Sequence, residues 1–368
     1  MLAEKATHKD KSNETLERCN ELCCNASQAK LSRREFLKKV CLAGAGIAAL
    51  TVFGSGLRSS ATNAQPGNGY IPGYIALAKS GELERREREL WKKMESCSLC
   101  PRMCGVNRMA GEMAICSSDH TLRTASSEIA FRAEQVIVGS RGVGAIFMSN
   151  CNLLCIFCQN WHIAHRGDGR QTSHAELAET MLSLQQRGAH NIYIVTPTHV
   201  VPHVVTALRL AIDQGLNIPL LFDTGGYETL EVMQLLDGIV DIYISDFKFQ
   251  DCEIAAPFLQ DAPDYALYAA AAIKEMNRQV GPLNIVDGVA NRGLLVRHLV
   301  LPENLAGTDD FVRWTVSELG ADTHVSIMNQ YRPEFRARYH PPLDRRITRS
   351  EFDQAMRWAR EAGLRNFH

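Results

Sequence analysis

Six short apolar runs alternate with helical segments after residue 140, and this alternation constrains the fold more than any other feature of the sequence. Their continuous apolar character predicts strands that are buried on both faces of a parallel sheet. Alternation with helices predicts right-handed βαβ units. The runs are rich in Val, Ile, Leu and Phe and cover residues 144–149, 191–196, 218–223, 240–247, 294–301 and 324–330.

Helix signals separate these runs. Ser173 and Glu176 have the spacing of a capping box, which predicts a helix start. Leu177, Met181 and Leu184 then recur on one helical face. Further helices are expected over residues 71–94, 204–215, 309–320 and 349–363 and before Gly281.

Six βα units are fewer than the eight of a complete (β/α)8 barrel. The pattern alone also allows a doubly wound open sheet. In both arrangements ligands gather at the C-terminal ends of the strands, so the loop after the first run is the first place to look for chemistry.

That loop carries Cys151, Cys155 and Cys158, a C-x3-C-x2-C run. Three thiolates can hold three irons of a [4Fe–4S] cube, which leaves the fourth iron open to bind a substrate and pass it an electron. The alternatives are a structural metal knuckle that lacks a ligand, or chance in a chain with 12 cysteines. No fourth Cys or His follows at a zinc-like spacing, because His162 is too close behind.

A second group, Cys97, Cys100, Cys104 and Cys116, has the spacing C-x2-C-x3-C-x11-C. Thiolates spaced in this way suit zinc or a second iron–sulfur cluster. Disulfides are the alternative if the protein functions outside the cytoplasm. Cys252 is isolated and is expected to be a plain thiol.

The N-terminal region reads differently from the rest. Residues 1–31 are polar and unpatterned, which predicts disorder. Arg33 and Arg34 precede an Ala/Gly-rich apolar run over residues 40–57, which resembles a twin-arginine export signal. The signal implies a location in the periplasm or anchored outside the cytoplasm; a membrane anchor and a chance arginine pair are the alternatives, and an unused signal leaves the protein in the cytoplasm.

The composition limits the class of protein. The chain is 45% apolar and 22% charged with a net charge of −1, which is ordinary for a soluble globular protein and gives no sign of a nucleic-acid surface. We expect residues 1–64 to form a disordered start plus signal, residues 65–140 a helical and Cys-rich metal-binding lobe, and residues 141–368 the main α/β domain.

The chain resembles the pyruvate formate-lyase activating enzyme-like branch of the radical S-adenosylmethionine (SAM) superfamily. This resemblance implies a partial, TIM-like (β/α)6 barrel that is open on one side, with a [4Fe–4S] cluster on Cys151, Cys155 and Cys158. It also implies SAM as a cofactor and an electron donor such as a flavodoxin or ferredoxin. The motifs that carry it span residues 97–108, 151–161, 195–199, 222–228, 246–248 and 328–333.

The same resemblance implies roles for four further residues. Phe157 would lie against the adenine of SAM, Asp223 and Thr224 would hold its amino group, and Lys248 would contact its carboxylate. Asp246 could join a monovalent-cation site. The alternatives are core packing for Phe157, a turn before Gly225 for the Asp–Thr pair, and an exposed ion pair for Asp246 and Lys248.

Two departures from the family pattern bear on SAM binding. Thr196-Pro197-Thr198-His199 stands where the superfamily has Gly-Gly-Glu, and Asn329-Gln330 stands where the activating enzymes have a late histidine.

The resemblance implies reductive cleavage of SAM to a 5′-deoxyadenosyl radical for hydrogen abstraction. The hydrogen could come from a protein, as in the activation of glycyl-radical enzymes, or from a small molecule or peptide. The alternative from another class is a non-catalytic iron–sulfur protein for electron transfer or sensing.

Overall fold

The computed structural model describes residues 69–368. The expected disordered start and twin-arginine signal, with Cys19, Cys23 and Cys24, lie outside the described residues. Within residues 69–368, no helix is both long enough and apolar enough to cross a membrane.

A largely parallel sheet forms the centre of the fold. Six parallel strands lie side by side in the order β2-β4-β5-β6-β8-β9. In the described residues β2 and β9 do not pair with each other, so the sheet does not close into a complete barrel. The short β10 extends the sheet beyond β9, and the antiparallel β1 and β3 extend it beyond β2. The strands are β1 Arg123–Ala130, β2 Val143–Met148, β3 Arg170–Gln171, β4 Ile192–Val195, β5 Leu220–Thr224, β6 Ile242–Asp246, β7 Asn284–Val286, β8 Val289–Leu299, β9 His324–Met328 and β10 Asn366–Phe367.

Helices connect these strands as the alternation predicted. The capping box at Ser173 forms: its side chain accepts from the Glu176 N–H, and the Glu176 side chain accepts from the Ser173 N–H. The helix expected over residues 71–94 is two helices, because Gly81 takes a left-handed φ of 76° between them. The α-helices are α1 Gly73–Ser80, α2 Glu82–Lys92, α3 Gln135–Val138, α4 Trp161–Ala164, α5 His174–Gln186, α6 Val201–Asp213, α7 Leu230–Leu235, α8 Cys252–Ala255, α9 Tyr265–Val280, α10 Thr308–Glu318 and α11 Arg349–Glu361.

The two faces of the sheet belong to separate apolar cores. Alternate residues such as Ile194 and Phe222 pack with the helices on the outer face. Tyr193 and Leu221 pack with Val138 of α3 on the inner face. Because α3 precedes β2 and yet packs against β8, the sheet curves around its inner core. The fold is therefore α/β with a mostly parallel, curved sheet, consistent with the expected partial barrel.

Strand register sets which side chains meet at the C-terminal edge of the inner face. Asp223 pairs with Val195, and Asp246 pairs with Arg297. Their side chains share the inner face with Tyr193, two residues from the end of β4, because side chains in a strand alternate between faces. Asp223, Asp246 and Arg297, from β5, β6 and β8, therefore lie together at the C-terminal end of the inner face, which we call the mouth of the sheet.

Candidate functional site

The three expected cluster cysteines lie on one loop, residues 149–160, which follows β2 at the C-terminal edge of the sheet. We call it the cysteine loop. Backbone bonds fix it: the Ile156 N–H donates to the Phe258 carbonyl at 3.0 Å, and the Cys158 N–H donates to the Cys155 carbonyl at 3.2 Å. The Leu153 N–H points at the Cys151 sulfur, 3.3 Å away. The loop thus offers a backbone donor to a thiolate as well as three sulfur atoms.

Burial dominates the electrostatics of these thiols. It raises the pKa of Cys158 to about 11, and it raises the pKa values of Cys151 and Cys155 as well. The Lys248 ammonium lowers the pKa of each of the three, so this cation favours the thiolate form of all of them. A buried thiolate needs a metal or a cation to offset its desolvation.

The donor set fits an iron–sulfur cluster. No disulfide joins cysteines of the described chain, and within that part no three Cys, His, Asp or Glu side chains converge on the position of a single ion. A [4Fe–4S] cube does not require such convergence, since each thiolate binds its own iron. Cys151, Cys155 and Cys158 are the residues that would hold it.

Lys248 and Asp246 form a half-buried ion pair at the mouth, with 2.5 Å between the Lys248 Nζ and the Asp246 Oδ2. Burial would lower the pKa of Lys248, but the charge of Asp246 raises it well above its ordinary value. The backbone N–H of Lys248 also donates to the Tyr265 hydroxyl at 2.9 Å. Lys248 is therefore a fixed cation between the cysteine loop and the inner face.

Asp223 is the next charged group on the inner face. The Tyr193 hydroxyl donates to its Oδ2 at 2.6 Å, and the Arg297 guanidinium lies 3.2 Å from the same oxygen. Burial raises the pKa of Asp223 to about 6, although Arg297 works in the opposite direction. Arg297 also pairs with Glu134 at 2.6 Å. Of this network, the sequence pointed to Asp223, whereas Tyr193 and Glu134 were missed.

Thr224 points away from Asp223, as the alternation of a strand requires. Its hydroxyl donates to the Glu228 Oε1, which also accepts from Thr198 at 2.5 Å. Glu228 is 1% exposed, and burial raises its pKa to about 7; its other oxygen, Oε2, has no hydrogen-bond partner. The structure thus places Asp223 at the mouth and Thr224 in a separate polar cluster behind the sheet.

Thr196 occupies the segment where the superfamily pattern differs. It is a β-branched residue with a left-handed φ of 60°, a conformation that costs free energy. Its N–H donates to the Asp223 carbonyl at 2.9 Å, which ties the end of β4 to the end of β5. The turn therefore positions backbone at the mouth without a glycine.

Phe157 packs inside the outer core. Its ring makes edge-to-face contacts with Phe249 and Tyr331, at centroid distances of 5.9 and 6.4 Å. Phe157 is 6% exposed, so packing accounts for most of its surface.

The four upstream cysteines lie on residues 97–116, which we call the upstream cysteine segment. Arg102 of this segment donates through Nε to the Asn152 carbonyl at 2.6 Å, and through its terminal nitrogen to the Leu259 carbonyl at 3.1 Å. The Asn150 amide donates to the Ser117 carbonyl at 3.0 Å. The two cysteine-bearing segments therefore pack directly on one another.

A cavity of about 620 Å³ lies at the opposite end of the strands. Arg141, His190 and Asp287 are among its lining residues, and none of the eight described cysteines borders it. This cavity lies away from the thiols, and the donor chemistry of the cysteine loop is the stronger guide to the site.

Comparison with known proteins agrees with this geometry. Residues 145–247 match the model of the radical SAM superfamily, a stretch that contains the cysteine loop, Asp223 and Asp246. A curated relative, "Uncharacterized protein MJ0674" of Methanocaldococcus jannaschii, is 28% identical over 279 residues, which is 73% of this chain and 76% of the relative.

Two solved structures show more distant similarity. HydG, a maturase of the [FeFe]-hydrogenase, is 12% identical with a TM-score of 0.44; the match covers 79% of this chain but only 64% of the HydG chain. TYW1, solved with a lysine-pyruvate adduct bound, is 7% identical with a TM-score of 0.38, covering 64% of this chain and 83% of the TYW1 chain. The segment similar to the radical SAM superfamily is therefore the one that carries the cysteine loop at the C-terminal edge of the parallel sheet.

Proposed function

We propose that this protein is an enzyme that cleaves SAM reductively on a [4Fe–4S] cluster held by Cys151, Cys155 and Cys158. The observation that carries the proposal is the cysteine loop itself: its three cysteines lie inside the segment that matches the radical SAM model. The Lys248 cation, one residue past that segment, lowers the pKa of each of their thiols. When bound, the cluster and SAM would supply a 5′-deoxyadenosyl radical that abstracts hydrogen from a substrate.

The residues of the mouth have distinct tasks in this proposal. The Lys248 ammonium, which pairs with Asp246 at 2.5 Å, would meet the SAM carboxylate. Asp223, held by Tyr193 and Arg297, offers a carboxylate oxygen to the SAM amino group. Phe157 supports the cysteine loop from the core, and its place near the adenine remains part of the proposal.

The finer proposal is that the hydrogen comes from a protein, as in the activation of glycyl-radical enzymes. Its support is the order of motifs shared with the pyruvate formate-lyase activating enzyme-like branch, from residues 97–108 to residues 328–333. A flavodoxin or ferredoxin is the class of electron donor proposed. Export by the twin-arginine route is proposed from Arg33 and Arg34 and the apolar run over residues 40–57.

Anaerobic reconstitution with iron and sulfide, followed by SAM and dithionite, tests the main proposal. Wild type is expected to release 5′-deoxyadenosine and methionine, and Cys155→Ala is expected to release neither. Cys252→Ala is the matched control, because it removes a buried cysteine outside both cysteine segments and should retain cleavage. A wild-type protein that assembles its cluster and cleaves no SAM would instead favour the electron-transfer or sensor alternative.

A further inference from the structure

The upstream cysteine segment is built as a tight, hydrogen-bonded turn. The Cys97 N–H donates to the Val106 carbonyl at 2.9 Å, and the Gly105 N–H donates back to the Cys97 carbonyl at 3.1 Å. Inside this pair, the Met103 N–H donates to the Cys100 carbonyl at 3.0 Å. Gly105 has a φ of 68°, which a glycine adopts without strain. The backbone thus returns on itself and presents three cysteines on a short arc.

The thiols of this segment are neighbours. Cys97 raises the pKa of the Cys104 thiol, and Cys97 and Cys116 both raise the pKa of the Cys100 thiol. Cys97, Cys100 and Cys116 are each less than a tenth exposed, and no disulfide consumes any of them. Three buried thiols and the partly exposed Cys104 on one short segment suit a shared ligand.

A buried carboxyl oxygen without a hydrogen-bond partner lies within electrostatic range of this group. Glu228 is 1% exposed and its Oε2 has no hydrogen-bond partner, while its charge is close enough to Cys100 to raise the pKa of that thiol. A buried carboxyl oxygen without a partner is costly. It is explained if a polar group that the protein itself does not supply occupies the space between Glu228 and Cys100.

The arrangement favours a polynuclear ligand over a single ion. A tetrahedral zinc site needs four sulfurs about 2.3 Å from one point, and in the described residues no three ligand side chains converge in that way. A cluster distributes its ligands, one iron for each thiolate. The cysteine loop has the same gathered but non-convergent thiols.

We infer that Cys97, Cys100, Cys104 and Cys116 bind a second iron–sulfur cluster, which packs against the cluster of the cysteine loop. The inference rests on the proposed function for the identity of that neighbouring group. Four thiolates cap every iron of a cube, so the second cluster has no open coordination position. It is suited to one-electron transfer, taking an electron from a low-potential donor protein and passing it to the first cluster, rather than to substrate binding.

Contacts between the two segments support this coupling. Arg102 donates to the Asn152 carbonyl, next to Cys151, and its guanidinium lies 5.7 Å from the centre of the Tyr227 ring. The Asn150 amide donates to the Ser118 hydroxyl at 3.0 Å, two residues after Cys116. The charge of Cys116 acts on the Cys151 thiol itself. Cys116 and Cys151 therefore lie on the two segments that are in direct contact.

Metal analysis of three reconstituted proteins tests the inference. Wild type is expected to bind about eight irons per chain, four for each cube. The upstream variant Cys100→Ser/Cys104→Ser and the loop variant Cys155→Ser/Cys158→Ser are each expected to bind about four. Wild type that binds about four irons, all lost in the loop variant, would overturn the inference. So would about one zinc per chain that disappears only in the upstream variant.

The two proposals fail in different ways. If the loop variant keeps about four irons and wild type still cleaves no SAM, the second cluster stands and the proposed function falls. If wild type binds about four irons and cleaves SAM, the proposed function stands and the second cluster falls. Electron paramagnetic resonance of the reduced proteins adds a readout of distance: wild type should show spin–spin broadening that is lost in both variants, and unbroadened wild-type signals would contradict the packing of two clusters. Because the loop variant carries the upstream site intact, the test does not depend on folding of the upstream variant.

Discussion

At the scale of single residues, the mouth of the sheet is an arrangement of buried charges. Glu134, Asp223 and Asp246 supply three carboxylates, and Lys248 and Arg297 supply two cations, so these five groups sum to 2 − 3 = −1 when all are ionised. Charges that leave water need partners, and one further positive charge would balance this set. A sulfonium or ammonium ligand has the required sign.

Lys248→Met should weaken SAM binding by about 10- to 100-fold, because a charge-assisted hydrogen bond contributes about 1.5–3 kcal/mol. It also leaves Asp246 without its cation. Equilibrium binding of SAM to the reconstituted protein measures the effect. Lys274→Met removes an exposed lysine that pairs with Glu318 at 2.5 Å and should bind SAM like wild type. Equal affinities for the two variants would remove Lys248 from the site.

Arg297→Met should destabilise the fold by about 3–5 kcal/mol, since it leaves Glu134 and Asp223 buried without their cation. Urea unfolding measures the loss. Arg365→Met, which removes an exposed ion pair with Asp322, should cost about 1 kcal/mol or less.

The cost of Arg297→Met should also depend on pH. Burial already raises the pKa of Asp223 to about 6 in the folded state, above its ordinary value, and loss of the arginine raises it further. The folded variant then binds more protons than the unfolded chain, so its stability recovers as pH falls from 8 through 6. A deficit relative to wild type that stays constant over this range would show that Asp223 is not the group left unpaired.

At the scale of elements, the cysteine loop depends on residues far from it in sequence. Arg102 bonds to carbonyls of the loop and of the segment after α8, and the backbone of residue 156 bonds to residues 258, 336 and 337. A loop with strained positions such as Asn150 and Leu154, whose φ values are 72° and 55°, keeps its shape only when its surroundings hold it.

Arg102→Met should therefore lower the free energy of unfolding by about 2 kcal/mol, because it leaves loop carbonyls without a charged donor. It should also speed the release of iron from the reconstituted protein to a chelator. Arg338→Met removes an exposed arginine that donates to one carbonyl, that of Phe335, and should change stability by less than about 0.5 kcal/mol. Iron release at the wild-type rate from Arg102→Met would argue against support of the loop from the upstream segment.

Gly226 allows β5 and β6 to approach at the mouth. Its φ is 84°, and a Cβ built on it would lie 2.4 Å from the Asp246 carbonyl oxygen. Gly226→Ala should cost more than Gly215→Ala, where φ is 98° and the space around a Cβ is open. The difference in urea stability isolates the steric clash from the backbone strain; we expect about 1–3 kcal/mol, together with weaker SAM binding as Asp246 shifts. Equal costs would mean that the backbone yields without moving the site.

At the scale of the whole molecule, the sequence predicts the parallel sheet well, because each of its six strands is a continuous apolar run. It misses β1, since the run Arg123-Thr124-Ala125-Ser126-Ser127-Glu128-Ile129-Ala130 is polar and its strand lies near the edge, with three of its eight residues exposed and none buried. The three cysteines of the loop lie on one short segment, so their metal-binding chemistry can be inferred from the sequence alone.

Contacts between side chains that are far apart in the sequence cannot be inferred in this way. Glu134 and Arg297 are 163 residues apart and meet because the sheet curves. Glu228 comes beside Cys100 for the same kind of reason: packing of the upstream segment against the ends of the strands decides it. No spacing rule in a single sequence encodes such contacts.

The central claim is that three thiolates leave one iron of the cluster open to SAM. Electron paramagnetic resonance of the dithionite-reduced upstream variant Cys100→Ser/Cys104→Ser, recorded with and without SAM, tests it most directly, because this variant isolates the loop cluster. We predict a reduced cluster signal whose g values shift when SAM is added. A signal that SAM leaves unchanged at saturating concentration would contradict the account.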